Sequence, residues 1–290
     1  MKTQSWQEMC PQGRPFIKMQ GLHNHFVIVD ARAIPYHPTV AQTVQICDVK
    51  TGVGGDQLLV IEQPTEQGKA AGAVAFMRII NVDGADAEAC GNASRCIAWL
   101  LMEETGSDAL SFETVAGVLA CKRTGELEVS VEMGLISMKG ADIPLAAGAD
   151  AMNLMLESGP LKNPIALNIG NPHAICFVDD LDTVDMLKWA PAMQCDPVFP
   201  EKANVGAVQM LSPEHLRLSV YERPGILTTA CGSGACVSVA AARAKGLTDA
   251  RKVQVDMPAG SVVIEILEDN SAIMTGPVSW CYQGYLPKFS

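Results

Sequence analysis

The sequence predicts an α/β fold of the α+β kind, built as two pseudo-symmetric halves. Each half is a curved, mostly antiparallel sheet or barrel around one central helix. Three observations lead there. The stretches "EACGNASRC" (88–96) and "TACGSGAC" (229–236) repeat Ala-Cys-Gly at an offset of 141 residues, from Cys90 to Cys231. Upstream, "GLHNHFVIVD" (21–30) aligns without gaps on "GNPHAICFVD" (170–179), an offset of 149 residues. A few loop deletions absorb the difference, and the shared order of the two echoes argues for a duplicated architecture. Finally, the remaining chain is a series of short β-branched runs broken by turn signals, among them "LSFETVAGVLACKRTGELEVSVEMG" and "KVQVDMPAGSVVIEIL".

Taken in order, the elements support this reading. "VAFMRII" (74–80) and "LRLSVY" (216–221) read as strands, each followed by a turn-like link to one of the two cysteines. Asn81 stands nine residues before Cys90 and Glu222 nine before Cys231. After each cysteine comes a segment that is apolar on nearly every side, ending at Gly106 or Gly246. Both read as helices with a glycine just past the end, and a helix apolar all round must be enclosed by other structure. The expected domains are residues 1–134, with the tail 277–290 returning to them as a strand, and residues 135–276. The join is expected within 133–142.

Composition narrows the function classes. Of 290 residues, 48% are hydrophobic and 18% charged, enough apolar material for a substantial core. The net charge of −11 and the scattered basic residues oppose binding to nucleic acid or an anionic membrane and leave a small molecule as the expected partner. No apolar run reaches the roughly 18 residues of a membrane span, and no secretory leader is expected from the first residues, so a cytoplasmic location is expected. Ten cysteines in such a chain are expected to be reduced, and most of them to be core packing. Without a Cys-x-x-Cys pair the usual zinc and thioredoxin signatures are missing, and no metal is expected. Cys96 lies six residues from Cys90 and Cys236 five from Cys231; neither spacing puts two sulfurs on one helical face, so Cys96 and Cys236 are expected in the core.

Cys90 and Cys231 are different. A Cys-Gly-Asn or Cys-Gly-Ser opening sets the sulfur at a helix amino terminus, where unpaired amides and the dipole favour negative charge. Thiol pKa values fall in such places. Gly91 and Asn92, or Gly232 and Ser233, leave the same amides open to a carboxylate. If the halves face one another, one thiolate can take an α-proton while the opposite thiol returns one to the other face. That is racemisation or epimerisation without metal or pyridoxal. Metal chelation and a disulfide are the competing readings: the spacings within each motif oppose chelation, and a Cys90–Cys231 disulfide would be an oxidised, inactive state.

These motifs resemble the diaminopimelate epimerase family, whose pattern extends from Phe16 to Leu286. Residues carrying the resemblance are "KMQGLHNHFVIVD", "TGVGGDQLLVIE", "NVDGADAEACGNASRC", "NIGNPHAICFVDD", "FPEKANVGAVQ", "YERPGILTTACGSGAC" and "MPAGSVVIEI". The resemblance implies epimerisation of LL- to meso-diaminopimelate in lysine and peptidoglycan precursor synthesis, with Cys90 and Cys231 as the acid–base pair. It implies His173 and Glu222 as a polar pair that sets thiol protonation. Asn24, Gln57, Asn81, Asn171, Asn204, Glu222 and Arg223 match substrate-holding positions, and Gly91, Asn92, Gly232 and Ser233 match the backbone cradles. Arg223 suits a distal carboxylate through its planar fork. The resemblance further implies no cofactor and a homodimer.

Two loops depart from the family pattern. His23 and His25 replace a glycine and an aspartate around Asn24, and Pro224 and Ile226 replace two glycines after Arg223. If the first of these glycines has positive φ, His23 bends its turn at a cost. Both departures touch substrate recognition, so a racemase of another amino acid, histidine-type for example, is the alternative enzyme. A catalytically silent binding module is the alternative outside enzymes.

Overall fold

The computed structural model describes residues 13–87 and 89–286. The chain divides into two compact units, one holding the chain up to Arg123 and again from Val278, the other running from Thr124 to Pro277. Both are mixed α/β, mostly sheet with few helices.

In the first unit, β1 (Pro15–Gly21) and β2 (Asn24–Asp30) form a hairpin with Gly21 opposite Asn24. Its two turn residues, Leu22 and His23, have φ of 51° and 60°. Positive φ at both positions is what matches a two-residue turn to the twist of its strands. The helix α1 (Val40–Cys47) then crosses to β3 (Gln57–Glu62), which runs parallel to β2. A parallel pair requires such a crossover. Thr39 starts α1 through a reciprocal capping box with Gln42. A short helix α2 (Glu66–Ala70) leads to β4 (Ala73–Asn81), antiparallel to β3. The end of β4 pairs with β5 (Asp86–Ala87), and after helix α3 (Gly91–Thr105) its beginning pairs in parallel with β6 (Ala109–Thr114). The strand β7 (Gly117–Gly125) lies antiparallel to β6. The C-terminal strand Ser279–Tyr285 pairs antiparallel with β1.

The second unit begins with β8 (Glu128–Leu135) and a small hairpin of β9 (Glu157–Ser158) with β10 (Leu161–Lys162). There follow β11 (Ile165–Asn168), β12 (Pro172–Phe177), helix α4 (Met186–Gln194), β13 (Asn204–Ser212), β14 (His215–Glu222) and β15 (Ile226–Thr228). Helix α5 (Gly232–Ala244), β16 (Lys252–Met257), β17 (Gly260–Ile266) and β18 (Ser271–Pro277) complete it. The boundary between the units lies ahead of residue 134, where the sequence sets it, because β8 pairs along its length with β18. That ladder outweighs the nearness of β8 to β7 in the chain.

The repetition is visible in the pairings. β1–β2 and β11–β12 are antiparallel, β2–β3 and β12–β13 parallel, β3–β4 and β13–β14 antiparallel. The second strand of each parallel pair follows a helix, α1 or α4. Next, β4 and β14 each take an antiparallel partner, β5 or β15, at one end and a parallel one, β6 or β16, at the other. Between these two partners lies α3 in one unit and α5 in the other.

Register also corrects the gap-free alignment of residues 21–30 on 170–179, which sets Asn24 on His173. Gln57 lies opposite both Phe26 and Asn81. In the second unit Asn204 lies opposite His173, and the Val205–Tyr221 pair brings it alongside Glu222. Phe26 therefore corresponds to His173, and Asn24 to Asn171. The turn between β11 and β12 differs in length from that between β1 and β2, which a gapless alignment cannot represent.

Each long helix is enclosed by its own unit. α3 buries Asn92–Ala98, Leu101 and Met102 and packs on β1, β2 and β6. Gly106, in the left-handed region at φ 66°, ends it and donates to the Met102 carbonyl. α5 buries every residue from Gly234 to Ala242 against β11–β14, β17 and β18. Fully buried side chains such as Ile97 and Leu101 contribute about 1.5–3 kcal/mol each, which anchors the helix that carries the cysteine. Cys96 and Cys236 are both wholly buried in these cores.

Candidate active site

Both cysteines are helix N-caps with extended backbone, Cys90 at φ −153° before α3 and Cys231 at φ −133° before α5. A cap in this conformation leaves the next amides pointing out of the helix end without intrahelical partners. In each unit these are the amides of the residues expected as cradles, Gly91 and Asn92 or Gly232 and Ser233.

Around Cys90, the turn between β1 and β2 brings Asn24 to the thiol. Sγ lies 3.5 Å from Asn24 Oδ1, and Asn92 Nδ2 lies 3.5 Å from the same oxygen. Asn24 Nδ2 donates to Asp56 Oδ2 at 2.8 Å, and the His25 N–H donates to that same carboxylate oxygen at 2.7 Å. Arg95, one turn along α3 and fully buried, donates to Asn92 Oδ1 at 2.8 Å. Gln57 opens β3 opposite Asn81, the last residue of β4, and donates to its Oδ1 at 3.0 Å. Gln57 Oε1 is buried without a hydrogen-bond partner, so it holds an acceptor in reserve. His23 and His25 both belong to exposed positions beside Asn24.

Around Cys231 the ladder of β12, β13 and β14 collects the polar residues. His173 is wholly buried; its Nε2 lies 3.1 Å from Asn171 Oδ1, 3.1 Å from Ser233 Oγ and 3.3 Å from Asn204 Nδ2. Ser233 Oγ in turn lies 3.5 Å from Cys231 Sγ, so a two-step contact links imidazole to thiol. Asn204 Oδ1 accepts the Arg223 N–H at 2.9 Å, and Glu222 Oε1 accepts from Thr228 Oγ1 at 2.9 Å. The Arg223 side chain turns to the carbonyl of Glu201, 3.0 Å from Nη1, and the peptide bond to Pro224 is cis.

Electrostatics in this unit oppose one sequence expectation. The helix end was expected to lower thiol pKa values, but Cys231 is held well above the ordinary thiol value. Burial is the main cause and the Glu222 carboxylate the second; the Ser233 hydroxyl and the Gly234 amide act the other way and lose. Cys231 is therefore protonated at neutral pH. His173 is held neutral, its pKa pushed down to about 3 by burial and by the positive charge of Arg223.

Three contacts around the sulfurs were not anticipated from sequence. The Gly234 N–H donates to Cys231 Sγ at 3.4 Å, so the thiol itself caps α5, and a Cβ at Gly234 would lie 3.2 Å from that sulfur. The Cys231 N–H donates to Met257 Sδ at 3.3 Å. Asp56 and Arg95 form the third contact set; an arginine in an otherwise apolar helix and an acid beside Gln57 were the available signals. No group of metal-binding side chains occurs among the described residues.

Comparison with known proteins adds to this geometry. The family model for diaminopimelate epimerase matches residues 16–139 and 165–281. The diaminopimelate epimerase of Acidiphilium cryptum is 43% identical over 273 residues, covering 94% of this chain and 96% of its own. That of Phenylobacterium zucineum is 41% identical over 279 residues, with 95% and 98% covered. Among solved structures, a Bacillus anthracis phenazine biosynthesis protein shares the fold at a TM-score of 0.66 and 16% identity, covering 94% of this chain and 99% of its own. A hydroxyproline epimerase from Agrobacterium vitis does so at 0.64 and 13%, with 95% and 92% covered.

Proposed function

Because the chain belongs to the diaminopimelate epimerase family, we propose that it interconverts LL- and meso-diaminopimelate by proton exchange at one α-carbon, as an isomerase of lysine and peptidoglycan precursor synthesis. The observation that carries this reading is the doubled topology, with a cysteine in each unit capping the enclosed helix. In the proposed step the α C–H bond breaks, its proton passes to the Cys90 sulfur, and Cys231 S–H delivers a proton to the opposite face. The two sulfurs end with their protonation exchanged, and the reverse reaction starts from that state. No electrons are gained or lost, so no redox partner is required. The raised thiol of Cys231 supports its role as the proton donor in the resting enzyme.

His173 and Glu222 act here on the second thiol: Glu222 raises it, and His173 orients Ser233 beside it. The amides after each cysteine hold the carboxylate of the reacting end. Asn24, Gln57, Asn81, Asn171, Asn204 and Arg223 hold the rest of the substrate, and each unit supplies one of the two thiols. The enzyme works in this proposal without cofactor or metal, as a cytoplasmic homodimer. No described helix is long and apolar enough to cross a membrane.

Purified protein without additives is expected to exchange the α-proton of diaminopimelate with deuterated water under reducing conditions. Cys90→Ser and Cys231→Ser are each expected to lose turnover. Full epimerase activity in either variant refutes the two-thiol assignment, and no exchange by the unmodified protein refutes the activity.

A further inference from the structure

The structural equivalence of Asn24 with Asn171 places two corresponding pairs beside the thiols: Asn24 with Asn92, and Asn171 with Ser233. The pairs point in opposite senses. Cys231 Sγ receives the Gly234 amide and faces the Ser233 hydroxyl, whereas Cys90 Sγ faces a carbonyl oxygen, Asn24 Oδ1. A side-chain amide is nearly symmetric in shape, so packing alone does not choose which end meets the sulfur. Its hydrogen-bond partners choose.

For Asn24 the choice falls to Asp56. An ionised carboxylate only accepts, so it takes the NH₂ end of Asn24 at 2.8 Å and turns the oxygen toward Cys90. That carboxylate is itself fixed, since the same oxygen takes the His25 N–H and the Asp56 N–H donates to the His25 carbonyl at 2.8 Å. For Asn92 the choice falls to Arg95. A guanidinium only donates, so it takes the oxygen of Asn92 and turns the NH₂ end toward Asn24. Thus one acidic and one basic side chain, neither touching the sulfur in these contacts, dictate the direction of the amide pair from its two ends.

We propose that Asp56 and Arg95 are positioning residues for Cys90, orienting the Asn24–Asn92 amide pair so that the thiol meets a carbonyl oxygen. An acceptor supports S–H and opposes S⁻, so this arrangement makes Cys90 a weaker acid and, once deprotonated, a stronger base. Among the described residues, the charged and titratable groups near it include His23 and His25 on either side of Asn24, Asp56 from the loop before β3, and Arg95 and the Cys96 thiol from α3, the last kept protonated by burial. At Cys231, by contrast, burial and Glu222 hold the thiol up.

Asp56→Asn tests this directly, because an amide at residue 56 accepts either end of Asn24 and Asp56 is exposed. In a Cys231→Ala background, the rate of iodoacetamide alkylation at Cys90 is followed against pH by peptide mass spectrometry. Asp56→Asn is expected to lower the apparent Cys90 pKa by about one unit, about tenfold more thiolate at a pH below both values. Asn24→Ala is expected to abolish that difference. An unchanged profile in Asp56→Asn overturns the proposal, and so does an equal shift in the Asn24→Ala background, which would mean that the charge acts without the amide. Arg95→Lys keeps both the positive charge and a donor for Asn92 Oδ1 and is expected to leave the profile unchanged; the Asp56 and Asn24 cycle decides. The consequence for catalysis rests on the proposed role of Cys90, but alkylation reads the thiol without turnover, so failure of one is distinguishable from failure of the other.

Discussion

Acidifying the solution from pH 7.5 to pH 5.0 puts a proton on an exposed imidazole but not on His173. Its Nδ1 is buried with no acceptor, so a proton there would be an unsatisfied charge, and Arg223 adds repulsion. The folded pKa of about 3 lies below the ordinary value of 6.5. The stability tied to the neutral ring is therefore complete above pH 6.5 and is lost as the pH falls toward 3, because the unfolded chain binds a proton that the folded chain refuses. At about 1.4 kcal/mol per pH unit, the loss is about 2 kcal/mol by pH 5.0 and about 5 kcal/mol by pH 3. The variant His173→Gln keeps a polar group near Ser233 and Asn171 and removes the titration. Urea unfolding followed by circular dichroism from pH 7.5 to 5.0 is expected to show the variant less stable at pH 7.5 by about 1–3 kcal/mol. Its decline with acid is expected to be shallower by about 2 kcal/mol. Histidine-labelled NMR gives a second reading: of five imidazoles, the one missing in the variant should stay neutral down to pH 4. A His173 signal titrating near 6.5, or parallel pH profiles for the two proteins, would refute the reasoning.

Two further outcomes follow from backbone geometry. His23 sits at φ 60° in the turn between β1 and β2, where an L side chain costs roughly 1–2 kcal/mol and glycine's extra chain entropy returns roughly 0.5–1. His23→Gly should therefore gain up to about 1 kcal/mol of stability, seen as a higher Tm, and a lower Tm would contradict the strain assigned to this turn. Gly234→Ala brings a Cβ to 3.0 Å from Val220 Cγ2 and 3.2 Å from Cys231 Sγ, so it should displace the sulfur and cut the α-proton exchange rate by about tenfold or more; wild-type exchange in this variant would show that the cap contact does not set the position of the thiol.

Much of this protein was legible before any coordinates. The two apolar segments after Cys90 and Cys231 read as helices enclosed by sheet because no solvent-facing helix is apolar on all sides, and the glycines at 106 and 246 marked their ends. The strands before them were equally readable, since alternation and turn residues are local properties, and the repeated order of motifs showed the duplication. Other features depend on pairing between distant segments, which no local pattern encodes. The β8 ladder with β18 moved the unit boundary to Arg123, and register made Asn24 the counterpart of Asn171. Cys231 is the clearest case. Its place at a helix amino terminus is local and argues for a lowered pKa, while its burial and its neighbour Glu222 are tertiary and reverse the sign. Likewise, composition announces an aspartate at 56 and an arginine at 95, but only folding brings them to the two ends of one amide pair, because a hydrogen bond acts over 3 Å and the chain between those residues spans four elements.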